Sequence, residues 1–534
     1  MRDKKGRKSW VTSGFLILVV ALIGALVLTA CAGGGGNGGN GGNGYEPPPR
    51  PWIVRYGFHA TGLVSLNGID PQTVGAGMVS RQTAEYLSII DPDTLKVGPG
   101  LATSWEVGPG RSYIDYTIRQ GVKFHNGDLM TAEDVKFSYD RCLDKDLLPD
   151  IAIIYQDFID RVEIIGTDKV RVYLKKWTWS RGSPVIVPKN YIEDVGWEEW
   201  FNKPVLTGPF KIVDWEPDVY VHYVKAFPEE GHWYYGNDIP NYDELYILSV
   251  VEPATRLAML KTGELDASHI SPANVPDVQN DPKLTLVMSK YSAAWSILFC
   301  ERFDVSSPFN EPNVRKAVSL AIDREGIAKN VLQGTYEPWG SYWGPNILGY
   351  RYKEPDPYDP TEAKRLLTEA GYPDGFDTSF AYPLNYGLES QAVIASLATV
   401  GIRAEARGYE AITWGTMLWF NQHVGMVYSA FPWWSGAIYP DAIWLTEFYG
   451  WGAQVSRDIP EVKDIYDQMT EAATEEELKQ AAWAAEDLYF ELGWKMPVWA
   501  VNAAFAYGPT VENWRVGFPG DENTQNLITL QYKG

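Results

Sequence analysis

The chain is predicted to fold as an α/β or α+β protein of two to four domains, at a soft prior of about 150 residues per domain. Three features point to it. Strand-like and helix-like stretches alternate from Tyr45 onward, with no low-complexity segment, fixed-period repeat or second apolar span. At 534 residues a large core is affordable. The composition is globular, with 45% hydrophobic and 21% charged residues, yet 22 Trp and 32 Tyr exceed what such a core requires. Some of those rings are therefore expected to face a ligand.

The N-terminus opens with Arg2, Lys4, Lys5, Arg7 and Lys8, then the apolar run GFLILVVALIGALVL (Gly14 to Leu28), then Thr29, Ala30 and Cys31. A basic stretch, an apolar stretch of secretory length and a small-residue cleavage site form a signal peptide, 1–30. The sequence LTAC resembles a bacterial lipobox and makes Cys31 the expected lipidation site. The alternative is an uncleaved anchor, because a span needs about 20 apolar residues. Residues 31–44 are Gly/Asn-rich and hold no core-forming side chain, so they read as a tether whose coil reaches about 20 Å. Cleavage removes five basic residues and one acid, which moves the net charge from −22 to −26. An acidic surface of that size repels phosphate backbones, so nucleic acid is not an expected partner.

The expected strands include 114–118 (IDYTI), 122–125 (VKFH, before the Asn126-Gly127 turn), 170–174 (VRVYL) and 220–224 (YVHYV). Three helices announce themselves by their caps. Thr131 with Asp134 forms a capping box ahead of Ala132, Val135, Tyr139 and Cys142. Asp359 is a natural N-cap with Pro360 at the first helical position, a stripe of Leu366, Leu367 and Ala370, and Gly371 as the stop. Thr474 with Glu477 opens a helix expected to bury Leu478, Ala481, Ala482, Ala485, Leu488 and Leu492. Asp91 and Asp93 lack the Gly and Glu of a calcium loop and read as a β-turn between strands. Cys142 and Cys300 read as two buried thiols, although an exported protein can also join such a pair.

Catalytic signatures are missing. The chain has no Gly-Lys dipeptide, which excludes a P-loop, and no H-E-x-x-H, C-x-x-C or G-x-S-x-G. The six histidines (His59, His125, His222, His232, His269, His423) show no ligand spacing, so neither a metal nor a cofactor is expected. A carboxylate pair for sugar hydrolysis follows no local spacing rule and stays open among the 68 acids. The densest aromatic stretch runs from Trp414 to Trp444, with Trp419, Phe420, Phe431, Trp433, Trp434 and Tyr439 between; Trp414, Trp419 and Trp444 are expected in the core. Strand neighbours point to opposite faces, so Trp433 and Trp434 cannot share one core.

Five segments in order carry a resemblance: LATSWEVGPGRSYIDYTIRQGVKFHNGDLMTAEDVKFSYDR (101–141), LTGPFKIVDW (206–215), RLAMLKTGELDAS (256–268), NVRKAVSLAIDREGIAKNVLQGTYEP (313–338) and YDPTEAKRLLTEAGYPDGF (358–376). Together they resemble the extracytoplasmic solute-binding proteins of family 5, the dipeptide, oligopeptide and nickel group that serves ABC importers, over about residues 52–530. The resemblance implies an α/β, two-lobed class II periplasmic-binding-protein fold with an additional third domain and a ligand cleft between the lobes. One lobe is then expected from 45–75, 206–295 and 506–534, the additional domain from 76–205, and the other lobe from 296–505. Hinges fall near Ser292 to Phe299 and Val501 to Tyr507.

The same resemblance implies a lipid-anchored, extracytoplasmic, monomeric receptor, periplasmic or on the cell surface. It captures a peptide or oligosaccharide without catalysis and delivers it to an ABC permease with its ATPase subunits. The expected ligand-binding set is Phe58, Trp343, Phe431, Trp433, Trp434, Tyr439 and Asp441. Peptide-binding relatives place an Asp where this chain has Ala437, so the usual clamp for a free N-terminus is not evident, and oligosaccharide stays open beside peptide. The rival readings are a secreted, Trp-rich glycoside hydrolase and a sensor that uses the same fold without transport.

Overall fold

The computed structural model describes residues 51–59, 78–90, 96–148, 155–179, 183–236, 239–302, 304–419, 423–431, 439–441, 459–493, 495–516 and 527–533. The signal peptide, the tether and the 91–95 turn lie outside them.

One mixed sheet organises the chain. Its order runs 402–409, 376–383, 426–431, 285–299, 495–507, 267–270, 53–58, 244–249, 220–225, 210–216, and Tyr336–Pro338 pairs separately with 495–507. Parallel pairing is made by two strands, each with two neighbours: Ile53–Phe58 lies between Glu244–Ser249 and Ala267–Ile270, and Phe376–Pro383 lies between Ile402–Tyr409 and Met426–Phe431. A separate antiparallel sheet is built from Ala102–Val107, Tyr113–Ile118, Lys169–Leu174 and Ile159–Gly166. Three of the four expected strands are present. The fourth, VKFH, is instead the arm of a tight loop held by a single bridge between Lys123 and Leu129, because Gly127 (φ 92°) reverses the chain too soon for a ladder to extend.

The two long strands Thr285–Phe299 and Lys495–Tyr507 are common to both halves of the mixed sheet. Their antiparallel ladder pairs Thr285 through Ser289 with Tyr507 through Ala503, breaks, and resumes at Ala293 opposite Val501. At the break Tyr291 takes φ 55°, the Ser292 hydroxyl donates to Ser289 O at 2.6 Å, and the Tyr291 N–H donates to Asn502 Oδ1 at 3.2 Å. The Asn502 amide also donates to Glu337 Oε1 at 2.8 Å, and its backbone N–H to Thr335 O at 2.7 Å. This irregularity sits at the edge of one expected hinge segment and inside the other.

The local signals at the helix starts are realised in the structure. The Thr131 N–H and hydroxyl both donate to Asp134 Oδ2, at 2.8 and 2.7 Å, ahead of helix Ala132–Leu143. Asp359 Oδ1 accepts from the Glu362 N–H at 2.9 Å before Pro360–Glu369, and Gly371 (φ 89°) follows its end. Thr474 and Glu477 form their box ahead of Glu475–Leu492. That helix buries Glu486 and Tyr489 along with the expected Leu478, Ala481, Ala482 and Ala485, whereas Leu488 and Leu492 are only half-buried. Arg351 explains the buried acid, since its guanidinium donates to Glu486 Oε2 at 2.7 Å. No disulfide joins Cys142 to Cys300, and burial pushes the Cys300 thiol pKa up.

Candidate functional site

The parallel strands Phe376–Pro383, Ile402–Tyr409 and Met426–Phe431 bring their carboxyl ends to one edge of the sheet, at Pro383, Tyr409 and Phe431. In open α/β sheets the crevice beyond such ends is where ligands bind. Phe431 ends its strand in register with Ala294 of the long crossing strand. Trp433, Trp434 and Ala437 lie outside the described residues, as does the Phe431 side chain. The chain is described again at Tyr439–Asp441.

Asp441 is 2% exposed, and its Oδ2 accepts the Thr178 hydroxyl at 2.8 Å and the Trp179 N–H at 2.7 Å. This carboxylate oxygen is thus committed to the chain itself, and the two bonds keep it oriented. Tyr439 is half-buried, with its ring 5.7 Å from the Trp179 ring. The Arg111 guanidinium lies 4.7 Å from the Trp177 ring centre and 5.1 Å from that of Trp179, and its N–H groups donate to the carbonyls of Ala472 and Ala473. Nearby, the Tyr466 hydroxyl donates to Asp157 Oδ2 at 2.9 Å, and Lys176 lies 3.6 Å from Asp157 and 3.5 Å from Asp467. Residues 111 and 157–179 therefore meet 439–441 and 466–473 through a continuous set of polar and aromatic contacts.

Sequence reasoning missed this arm of the site. Its one local signal was the WTW spacing at 177–179, just after the strand Lys169–Leu174, whose two rings meet edge-on at 6.2 Å beside Arg111.

Two expected ligand residues lie elsewhere. Trp343 is fully buried, donates from Nε1 to Ala482 O at 2.9 Å and meets Tyr342 edge-on at 4.4 Å. It is a core residue that locks the 339–350 segment onto helix Glu475–Leu492, and the expectation of a ligand contact there is corrected. Phe58, at the carboxyl end of its strand, is buried too, with its ring 5.3 Å from that of His59. His59 stacks on His269 at 4.1 Å. Burial, then His59, then Arg256 hold the His269 imidazole well below its ordinary pKa, so it is neutral. Trp414 lies in the core as expected. Among the described residues no group of His, Cys, Asp and Glu is placed to hold a metal ion, and no helix is long and apolar enough to cross a membrane.

A profile described as "Bacterial extracellular solute-binding proteins, family 5 Middle" matches residues 96–454, well over half of the chain. Among similar sequences, Heme-binding protein A of Haemophilus influenzae is 29% identical over 62% of this chain and 65% of its own length. Di/tripeptide-binding protein 2 of Pseudomonas aeruginosa is 29% identical over 68% of this chain and 74% of its own. The chain thus spans about two thirds of the length of these relatives. Among solved structures, the periplasmic binding protein DppA of Helicobacter pylori, in complex with the peptide STSA, aligns with a TM-score of 0.77 at 21% identity, over 90% of this chain and 98% of its own. A dipeptide-binding protein of Pseudoalteromonas, in complex with Met-Leu, gives 0.77 at 22% identity over 90% and 100%. The fold is that of these binding proteins, and the chain belongs to the bacterial extracellular solute-binding proteins of family 5.

Proposed function

We propose that the chain is the substrate-binding receptor of an ABC importer, held outside the cytoplasmic membrane by a lipid on Cys31, and that it takes a short peptide or an oligosaccharide. The observation that carries this reading is the family match over residues 96–454, which includes the aromatic segment 431–441. The ligands for which similar proteins are named, a di- or tripeptide, glutathione (the glutathione-binding protein GsiB of Salmonella typhi) and the peptide STSA, put short peptides first. Ala437 keeps oligosaccharide as the second reading, because a buried ammonium without a carboxylate costs several kcal/mol. Capture is by closure of the two lobes about the crossing strands, with contacts from both lobes favouring the closed state. Family membership sets the glycoside hydrolase reading aside.

A thermal-shift screen against di- to pentapeptides and neutral oligosaccharides tests the proposal, since a ligand of the native state raises the melting temperature by mass action. A peptide hit supports the first reading and a glycan hit the second; sugar release or silence from both libraries sinks the receptor. Cys31→Ala tests the anchor: the variant is expected in the soluble fraction or unprocessed, and wild-type fractionation overturns the lipid.

A further inference from the structure

We infer that Trp179, from the segment expected to belong to the additional domain, is a ligand-contacting residue whose indole N–H donates to an oxygen acceptor of the bound solute. The inference rests on the receptor reading above. Trp179 is 8% exposed, and its Nε1 is buried without a hydrogen-bond partner. An indole N–H only donates, and a buried donor left unsatisfied carries the full cost of its desolvation.

The ring is held in place without using that donor. Its own backbone N–H is fixed by Asp441, Arg111 lies over the ring, Trp177 meets it edge-on at 6.2 Å, and Tyr439 lies against it at 5.7 Å. A rigid, unsatisfied donor beside the expected ligand segment is what a site prepared for a carbonyl, carboxylate or hydroxyl oxygen presents. The positive charge of Arg111 over the ring favours acceptors further. The solute end received here is then an oxygen-bearing one rather than an ammonium, in keeping with Ala437. The indole donors of Trp295 and Trp514 are also buried without partners, but they lie within other hydrophobic clusters. They do not adjoin Tyr439, and Trp514 serves as the control.

Calorimetry and ¹⁵N-indole spectra of the full chain decide the matter, with the probes Met-Leu, Ser-Thr-Ser-Ala and glutathione, and with C-terminally amidated forms of the two peptides to separate a carboxylate from a carbonyl acceptor. Trp179→Phe keeps an aromatic ring and removes the donor. It is expected to weaken the probe that binds wild type by about fivefold to tenfold with the melting temperature preserved, whereas Trp514→Phe leaves affinity unchanged. The indole signal that vanishes in Trp179→Phe is expected to move when wild type is saturated. Equal affinity of Trp179→Phe and wild type overturns the inference and leaves the receptor standing. A stationary indole signal in saturated wild type does the same even if the variant fails to fold. Silence of wild type toward every probe overturns the peptide reading and the inference together.

Discussion

Asp441 and Trp179 are joined across 262 residues of sequence by one hydrogen bond, in which the Trp179 N–H donates to Asp441 Oδ2 at 2.7 Å. The same oxygen accepts the Thr178 hydroxyl. The carboxylate that sequence reasoning assigned to a ligand is thus a tie between the WTW segment and the strand-end segment that carries Tyr439.

Removing that tie leaves a backbone N–H and a hydroxyl without their acceptor in a water-poor place. Hydrogen bonds to a charged group are worth about 1.5–3 kcal/mol each, and orphaned donors add their desolvation. Asp441→Ala is therefore expected to cost about 3 kcal/mol in urea unfolding, and Asp441→Asn, which keeps one acceptor oxygen, about half of that. An alanine variant as stable as wild type refutes the tie.

Asn502 holds the break in the crossing ladder. Its side-chain oxygen accepts the Tyr291 N–H, and its amide donates to Glu337. It is 6% exposed, so water does not readily replace either bond. Asn502→Ala is expected to lower stability by about 2 kcal/mol and to speed amide exchange at Tyr291 above that of the flanking ladder. Unchanged exchange at Tyr291 would show that Asn502 does not hold this break.

What was legible in the sequence was local. The capping boxes at Thr131 and Thr474 and the Asp359-Pro360 start need only three or four consecutive residues to satisfy their donors, and each appears where its pattern stands. VKFH failed because a strand needs a partner along its length, and Gly127 turns the chain first. The burial of Trp343 could not be read locally, because the Gly and Pro around it form no helical or strand-like apolar pattern. Its burial depends on Ala482, 139 residues away, which no window reveals. The Asp441 tie and the Asn502 clasp were hidden for the same reason, since both are made by partners distant in sequence and brought together only by the sheet order.

Glu389 makes stability depend on pH. Its carboxyl is buried, and desolvation pushes its pKa up to about 7 from an ordinary 4.5, against the opposing bond from the Tyr336 hydroxyl at 2.8 Å. Between those two values the folded chain keeps a proton that the unfolded chain has lost. This contribution is therefore whole below about pH 4.5 and is lost as pH rises through 7, on the order of 3 kcal/mol in all. Comparing wild type with Glu389→Gln isolates it: the difference in stability between them is expected to change in this window and level off above it. A constant difference from pH 4 to pH 8 shows that Glu389 ionises in the fold as it does in the unfolded chain.

Trp343 and the 433–434 pair are expected to respond in opposite ways to truncation. The Trp343 indole is enclosed by the core and bonded to helix Glu475–Leu492, so Trp343→Ala opens a large cavity that the surrounding aromatic side chains cannot fill by small shifts. Such changes cost about 3–5 kcal/mol, and the denaturation midpoint should fall accordingly while ligand affinity of the folded fraction stays within about twofold, because no uniform contact with solute is lost. For Trp433 and Trp434, the expected division of roles predicts that alanine at a cleft-facing ring weakens binding by about tenfold at near-constant stability, and that alanine at the other repeats the Trp343 result. If Trp343→Ala keeps its midpoint and loses ligand instead, the ring belongs to the binding surface and the core assignment falls.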